Sequence, residues 1–383
     1  MRHLQRRHWL GVSLLAGLGL SGCAPKASSL RIGVAQPLSG PLAALGQDLL
    51  RGAELAAQRI NAGAGIKLGN SKLPIEILGI DDRGDSQAGT QAAAQLVEAG
   101  VLAVIGHLNS GVSIAAAPVY AKAGVPQLAI STNPRYTQLG LPTTLRLVAN
   151  DDVQAQAMAQ YAVDKLGAQR IATWHDGTPY GQGLIDAASK VLVRSQRGRP
   201  VLALHSDDRG TDFSGQLGAL HEAAPDLLLC TLADFQVEAL LPQLDATGLS
   251  KLRLLGSDTL KTPRLQSASH GSHALYCTTP IVAAQEFLGG QDFLAEFRER
   301  HGGEPYYAAH YAYDAVFLLA ETLRRIDSLD RRALLEGLKR FNGDVPVTGI
   351  MRFDRDGEQR GAAVGIYHLQ RGRWELAMRS SNW

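Results

Sequence analysis

The chain has 383 residues, 45% hydrophobic and 19% charged, which suits a soluble globular protein of two or three domains with a substantial core. The formal net charge is only +2, so there is no electrostatic footprint for nucleic acid.

Residues 1–22 read as an export signal. Arg2, Arg6 and Arg7 make a positive start, and Trp9 to Leu20 is an apolar run of the length such signals use. That run is shorter than the roughly 20 residues a membrane-spanning helix needs. Leu20-Ser21-Gly22-Cys23 resembles the lipobox of bacterial lipoproteins, in which cleavage before the cysteine leaves its thiol to carry diacylglycerol. Cys23 is therefore the expected lipidation site and residues 23–29 a lipidated linker. The expected location is the periplasm or cell surface, anchored to a bacterial membrane. Arg6-Arg7-His8-Trp9-Leu10 leaves the general and the twin-arginine export routes both open. No later apolar stretch is long enough for a second span. Cys230 and Cys277, in apolar strand-like surroundings, read as buried thiols or as one disulfide, which export permits.

After the linker, strand and helix periods alternate. Strands are expected over residues 30–35, 74–80, 101–106 and 125–130, and helices over 47–60, 88–98 and 112–123. In the helix 47–60, Leu49, Leu50, Ala53, Ala56, Ala57 and Ile60 share one face, opposite Asp48, Arg51, Glu54 and Arg59. The pattern restarts after residue 150. Helices are expected over 151–166, 181–194, 212–223 and 235–246, and strands over 170–174, 201–204, 226–231 and 252–255. Near-continuous apolar strands between amphipathic helices imply parallel sheets covered on both faces, so the fold class is α/β with two similar units. Helices over 286–299, 307–326 and 330–340 follow without intervening strands and are expected to return to the first sheet. Strands over 351–353, 364–369 and 374–378, joined by Asp356-Gly357 and Arg371-Gly372, end the chain.

In open parallel sheets, ligands bind beyond the carboxyl ends of strands near a topological switch point. The loops there carry hydroxyls, a tyrosine and a few acids: Ser39-Gly40-Pro41, Asp81-Asp82, the run from Gly106 to Ser110, Ser131-Thr132, the run from His175 to Tyr180, Asp207-Asp208 and Ser257-Asp258. This composition favours a zwitterion over a phosphate. Ser110 reads either as a helix N-cap or, with Thr132, as a hydroxyl donor to a carboxylate. Asp258 reads either as a turn or cap residue or as the carboxylate facing an ammonium. The doubled acids Asp81-Asp82 and Asp207-Asp208 read as strand-end turns or solvated caps. Eleven histidines show no metal-ligand spacing, and His270 and His273 read as a solvated loop. There is no nucleophile elbow and no Walker loop, so neither an enzyme nor a cofactor is expected.

Four stretches occur in a recognisable order: Gly33-Val34-Ala35-Gln36-Pro37-Leu38-Ser39-Gly40-Pro41, Asp81-Asp82, Val104-Ile105-Gly106-His107-Leu108-Asn109-Ser110, and His175-Asp176-Gly177-Thr178-Pro179-Tyr180-Gly181-Gln182-Gly183. Together they resemble the leucine/isoleucine/valine-binding protein family, the type I periplasmic binding proteins of ABC importers. The resemblance runs from about residue 30 to 370. It implies two Rossmann-like lobes, parallel sheets flanked by helices, joined by a three-crossing hinge near 147–151, 278–282 and 348–352. Lobe 1 would take residues 30–149 and 280–349, and lobe 2 residues 150–279 and 350–383. It further implies that Ser110 and Thr132 hold a ligand carboxylate, that the carbonyl near Ile130 and the Asp258 carboxylate hold its ammonium, and that Tyr180 closes from the second lobe. Leu45 and Ala233 stand where branched-chain binders carry tyrosines, so with Leu108 and Asn109 they are the expected pocket wall. The cysteine pair of some relatives would fall at Gly84 and Asn109 and is absent.

The implied function is capture without chemistry: a monomeric clamp takes up a small amino-acid-like ligand and hands it to an ABC permease and ATPase complex. A ligand sensor, or a lipoprotein that regulates an envelope enzyme on the same fold, is the alternative.

Overall fold

The structure, a computed structural model, describes residues 29–195, 199–268 and 272–380. The export signal, Cys23 and His270 lie outside the described residues.

The first part runs β1 (Leu30–Gln36), α1 (Ala43–Ala62), β2 (Ile66–Leu68), β3 (Ser71–Leu73), β4 (Ile75–Asp81), α2 (Ser86–Glu98), β5 (Ala103–Gly106), α3 (Ser110–Lys122), β6 (Gln127–Ala129) and β7 (Thr144–Arg146). Its sheet has the order β4-β1-β5-β6-β7, with every pair parallel. The second part runs α4 (Asp151–Gln160), β8 (Ile171–His175), α5 (Pro179–Arg194), β9 (Leu202–His205), α6 (Ser214–Ala223), β10 (Leu227–Thr231), α7 (Asp234–Ala246), β11 (Arg253–Gly256), α8 (Pro263–Ser267) and β12 (Leu275–Thr279). Its parallel strands are ordered β9-β8-β10-β11-β12, the same sequence of positions as in the first sheet. The two units are thus one architecture used twice. Every residue of β5 and of β10 is buried, as strands covered on both faces require.

Three helices follow, α9 (Gly290–His301), α10 (Ala309–Ile326) and α11 (Arg331–Lys339), then the hairpin β13 (Asn342–Val345) and β14 (Gly349–Arg352), and finally β15 (Gly365–Gln370) and β16 (Arg373–Arg379). Phe293, Leu319 and Leu334 of the three helices share one apolar core with Leu30 and Ile32 of β1, so the chain does return to the first sheet. Strands β15 and β16 extend the second sheet antiparallel from β12.

Several elements differ from the sequence expectation. β7 and β12, the outermost parallel strand of each sheet, have no counterpart there, nor do β2, β3 and β13. Helix α1 begins four residues early. The α-helix expected to reach Leu166 ends at Gln160 and continues as a π turn to Lys165. The third passage between sheets also lies later than residues 348–352: Met351 and Phe353 still pack in the first core, whereas Ile366 packs in the second unit. Residues 350–353 therefore stay with the first unit. The other two passages lie between β7 and α4 and after β12. Cys230 and Cys277 are free, buried thiols, and burial pushes Cys230 up to about 12.

One carboxylate fastens the returning helices. Asp48 of α1 is almost fully buried and accepts the N–H groups of Tyr306, Tyr307, Ala308 and Ala309 at 2.6, 2.9, 2.8 and 2.8 Å. Ala308 and Ala309 are orphan donors at the start of α10, where a negative charge is also favoured by the helix dipole, and Tyr306 and Tyr307 lead into it. One turn further on, a Cβ on Gly52 would collide with the Ala309 carbonyl, so the close approach of α1 and α10 requires glycine there. Asp48→Ala would leave these donors buried and unpaired, and should lower unfolding stability by about 3 kcal/mol. Urea titration followed by circular dichroism measures this; a loss below about 1 kcal/mol would contradict it.

Candidate functional site

In both sheets the chain order reverses between the first and third strands, β1 and β5 in one, β8 and β10 in the other. The loops leaving their carboxyl ends diverge there and open a crevice. The expected site residues sit on these loops. Leu45 lies in the first turn of α1, Ser110 begins α3 directly after β5, and Thr132 follows β6. Tyr180 lies in the first turn of α5 after β8, Ala233 precedes α7 after β10, and Asp258 follows β11.

Ser110 is not the helix cap. Asn109 holds that position and makes no capping bond with its side chain. The Ser110 hydroxyl accepts the Asn133 N–H at 3.3 Å, which sets it beside Thr132. The Thr132 carbonyl accepts the Asp151 N–H at 2.9 Å, and its side chain hydrogen-bonds the Asp151 carboxylate. The loop carrying Thr132 is held from below by Arg146, whose fully buried guanidinium donates to the carbonyls of Ser131 and Asn133, the latter at 2.8 Å. Glu358, on the third passage between the sheets, balances that charge at 2.9 Å.

On the other side, the Tyr180 hydroxyl donates to Asp258 Oδ1. The same oxygen accepts from Gln154 Nε2 at 3.4 Å, and Gln154 is fixed by the Thr278 carbonyl at 3.0 Å. Burial raises the Asp258 carboxyl above its ordinary range, while the bonds from Tyr180 and Gln154 oppose the rise. Burial also raises the Tyr180 phenol, and the charge of Asp258 adds to it.

Asp151 joins the two sides. Burial pushes its carboxyl up to about 6, with the Thr132 hydrogen bond working against the rise and the charge of Asp258 adding to it. Its Oδ1 is buried and has no hydrogen-bond partner. Two acids thus lie close together, with Arg146 offsetting part of the charge on Asp151 and its Oδ1 still without a partner, an arrangement that can accept a positively charged group. In the sequence Asp151 stands only as the first residue of the helix expected over 151–166. A signal existed: Asn150 already caps α4, accepting the Val153 N–H at 3.0 Å, so Asp151 is not needed for that task.

The crevice continues into a cavity of ≈ 660 Å³ whose wall includes Leu45 and Asp258 from opposite sheets and Tyr307 from the segment before α10. Asp258 is the member that cluster and cavity share. Ile130 is buried in the core of the first sheet, and Leu108 packs against that core. Asn109 turns toward Gly84: a Cβ there would lie 3.2 Å from Asn109 Oδ1. The two positions of the absent cysteine pair are therefore neighbours. Ala233 donates its N–H to Gln236 Oε1 at 3.0 Å. Leu108, Asn109 and Ala233 are not among the residues that form the cavity wall.

Two further expectations change. Asp82 makes the expected strand-end turn, its Oδ1 accepting the Gly84 N–H at 2.9 Å, but it is not solvated: it is fully buried, with Oδ2 2.6 Å from His107 Nδ1, and His107 Nε2 meets the Tyr120 hydroxyl at 3.2 Å. This buried chain braces the loop that ends in Ser110. His273 is not a solvated loop residue; it is buried, bonded to the Leu252 carbonyl at 2.9 Å and to Asp245 at 3.1 Å. Among the described residues no group of three or more His, Cys, Asp or Glu gathers as a metal site, and no helix is long and apolar enough to cross a membrane.

Residues 29–373 match the family described as periplasmic binding protein. The Leu/Ile/Val-binding protein homolog 1 of Brucella abortus is 30% identical over 364 residues, 94% of this chain and 95% of that protein. An ABC transporter substrate-binding protein from Desulfitobacterium hafniense, solved in complex with Leu, is 26% identical with a TM-score of 0.76, covering 91% of this chain and 99% of the other. The branched-chain amino acid transporter substrate-binding protein LivJ of Streptococcus pneumoniae, solved with isoleucine, shares the fold with a TM-score of 0.76 at 24% identity, covering 92% and 99%. With its twin sheets, its crevice at the switch points and these likenesses, the chain belongs to the leucine/isoleucine/valine-binding family of type I periplasmic binding proteins.

Proposed function

We propose that this protein is the extracytoplasmic substrate-binding component of an amino-acid ABC importer of the branched-chain type, and that it binds its ligand between two lobes by closure. The observation that carries the reading is the assembly of Thr132, Asp151, Tyr180 and Asp258, drawn from both sheets, in which Asp151 Oδ1 is buried without a hydrogen-bond partner. Ser110 and Thr132 hold the ligand carboxylate, with the positive end of α3 behind them. Asp258 and Asp151, with the Ile130 carbonyl, hold the ammonium, and Tyr180 keeps Asp258 oriented. Leu45 forms part of the wall around the ligand side chain. Closure is favoured because the two ends of the zwitterion meet their full set of partners only when the lobes meet. Lobe 1 comprises residues 30–149 and 280–349 together with the β14 residues that pack on it, and the remainder of 150–380 forms lobe 2. The liganded, closed form is then read by a permease and ATPase complex. Residues 1–22 direct export and Cys23 carries the lipid that holds the monomer at a bacterial membrane; the lipobox resemblance supports both.

Asp258→Ala should weaken amino-acid binding more than about tenfold in isothermal titration calorimetry. An unchanged affinity would remove Asp258 from the site. Binding should also depend on pH. The ligand-free Asp151 carboxyl takes up a proton near pH 6, whereas the ammonium requires its charged form. Lowering the pH from 7.5 to 5 should therefore raise Kd about tenfold, and Asp151→Asn should flatten that dependence. A flat profile in the unaltered protein would contradict the assignment. Expressed in bacteria with labelled palmitate, the chain should become labelled and sediment with membranes, and Cys23→Ser should do neither; a labelled Cys23→Ser variant would refute the anchor.

A further inference from the structure

Beyond Asp258 the cavity wall carries a cation that forms no ion pair among the described residues. Lys261 lies three residues on, its N–H donating to the Asp258 carbonyl at 3.1 Å. Its side chain lines both the ≈ 660 Å³ cavity and an adjoining one of ≈ 480 Å³. Its Nζ lies 4.4 Å from the centre of the Tyr367 ring, a contact that steadies the ammonium and leaves its charge unneutralised.

The acids around it are otherwise engaged. Asp258 holds Tyr180 and Gln154. Glu304, on the cavity wall, pairs with Arg298 at 3.3 Å. Glu286 attracts Lys261 but forms no ion pair with it within 4.0 Å. Burial pulls the Lys261 ammonium below its usual range, with Cys277 and Glu286 opposing the shift. The same wall carries Trp374, whose indole N–H is buried without a partner. Pro41, Ala44 and Leu45 form an apolar strip on the facing side. A short methylene stem fits that strip. A purely aliphatic side chain would shield Lys261 from water and offer it nothing in return.

Resting on the amino-acid reading above, we infer that the ligand is an α-amino acid with an anionic side chain, its distal carboxylate received by Lys261 and the Trp374 N–H. Asp258 and Lys261 then recognise opposite charges of one molecule.

Calorimetry with L-glutamate, L-aspartate and L-leucine on the purified protein tests this. One of the two acids should bind at least about tenfold more tightly than leucine. Lys261→Met should weaken that acid at least about tenfold and change leucine affinity less than about threefold, while Lys261→Arg should keep the preference. If leucine binds in an Asp258-dependent way but neither acid binds more tightly, or if Lys261→Met leaves the acids unaffected, the inference fails and the amino-acid reading stands. If no amino acid binds the unaltered protein, that reading itself is overturned, and the inference with it. The ligand ranking of the unaltered protein decides even if a variant does not fold.

Discussion

Two partly buried carboxylates, Asp151 and Asp258, lie close to one another, and the Arg146 guanidinium offsets only part of the charge on Asp151. Such an arrangement costs free energy, because each charge has lost water and each repels the other. The protein reduces the cost in three ways. Tyr180 and Gln154 donate to Asp258, Thr132 donates to Asp151, and Asp151 binds a proton more readily than an ordinary aspartate. In the proposed reading a zwitterion's ammonium supplies the remaining compensation. The crevice is therefore less comfortable empty than occupied, and that difference is what can drive two lobes together.

The scaffold exists to bring those groups within reach of each other. Each sheet alone presents only half of them: Ser110 and Thr132 from the first, Tyr180 and Asp258 from the second. Using the same strand order twice puts both switch points at corresponding ends, so two crevices can merge into one. The returning helices secure the first half through Asp48 and, further on, through Asp314, a buried acid pushed up to about 6 that accepts the N–H groups of Val347 and Thr348 at 2.9 and 2.7 Å. Arg146 ties the third passage to the loop that carries Thr132.

Much of this was legible in the residues. The α/β alternation, its restart after residue 150 and the return of the late helices all follow from apolar periodicity. The missing parallel strands, β7 (Thr-Leu-Arg) and β12 (Leu-Tyr-Cys-Thr-Thr), mix polar with apolar residues, so their burial comes from their place in the sheet and not from an apolar run. Local patterns also misjudge charge. Asp82 is the turn residue it reads as, accepting the Gly84 N–H, yet its other oxygen is buried against a histidine 25 positions away. His273 fails for the same reason. Asp151 is the instructive case: a helix-start aspartate is unremarkable until the second sheet brings Asp258 toward it. Loops can be chosen from sequence; which of their side chains meet is fixed only by the pairing of distant strands.

The most direct test of the account is a crystal structure of the protein with its amino acid bound. The ligand ammonium should lie within ~3 Å of a carboxylate oxygen of both Asp151 and Asp258, with the ligand carboxylate on the Ser110 and Thr132 hydroxyls. An amino acid seated in the crevice with its ammonium remote from both acids, or with either acid turned away from it, would contradict it.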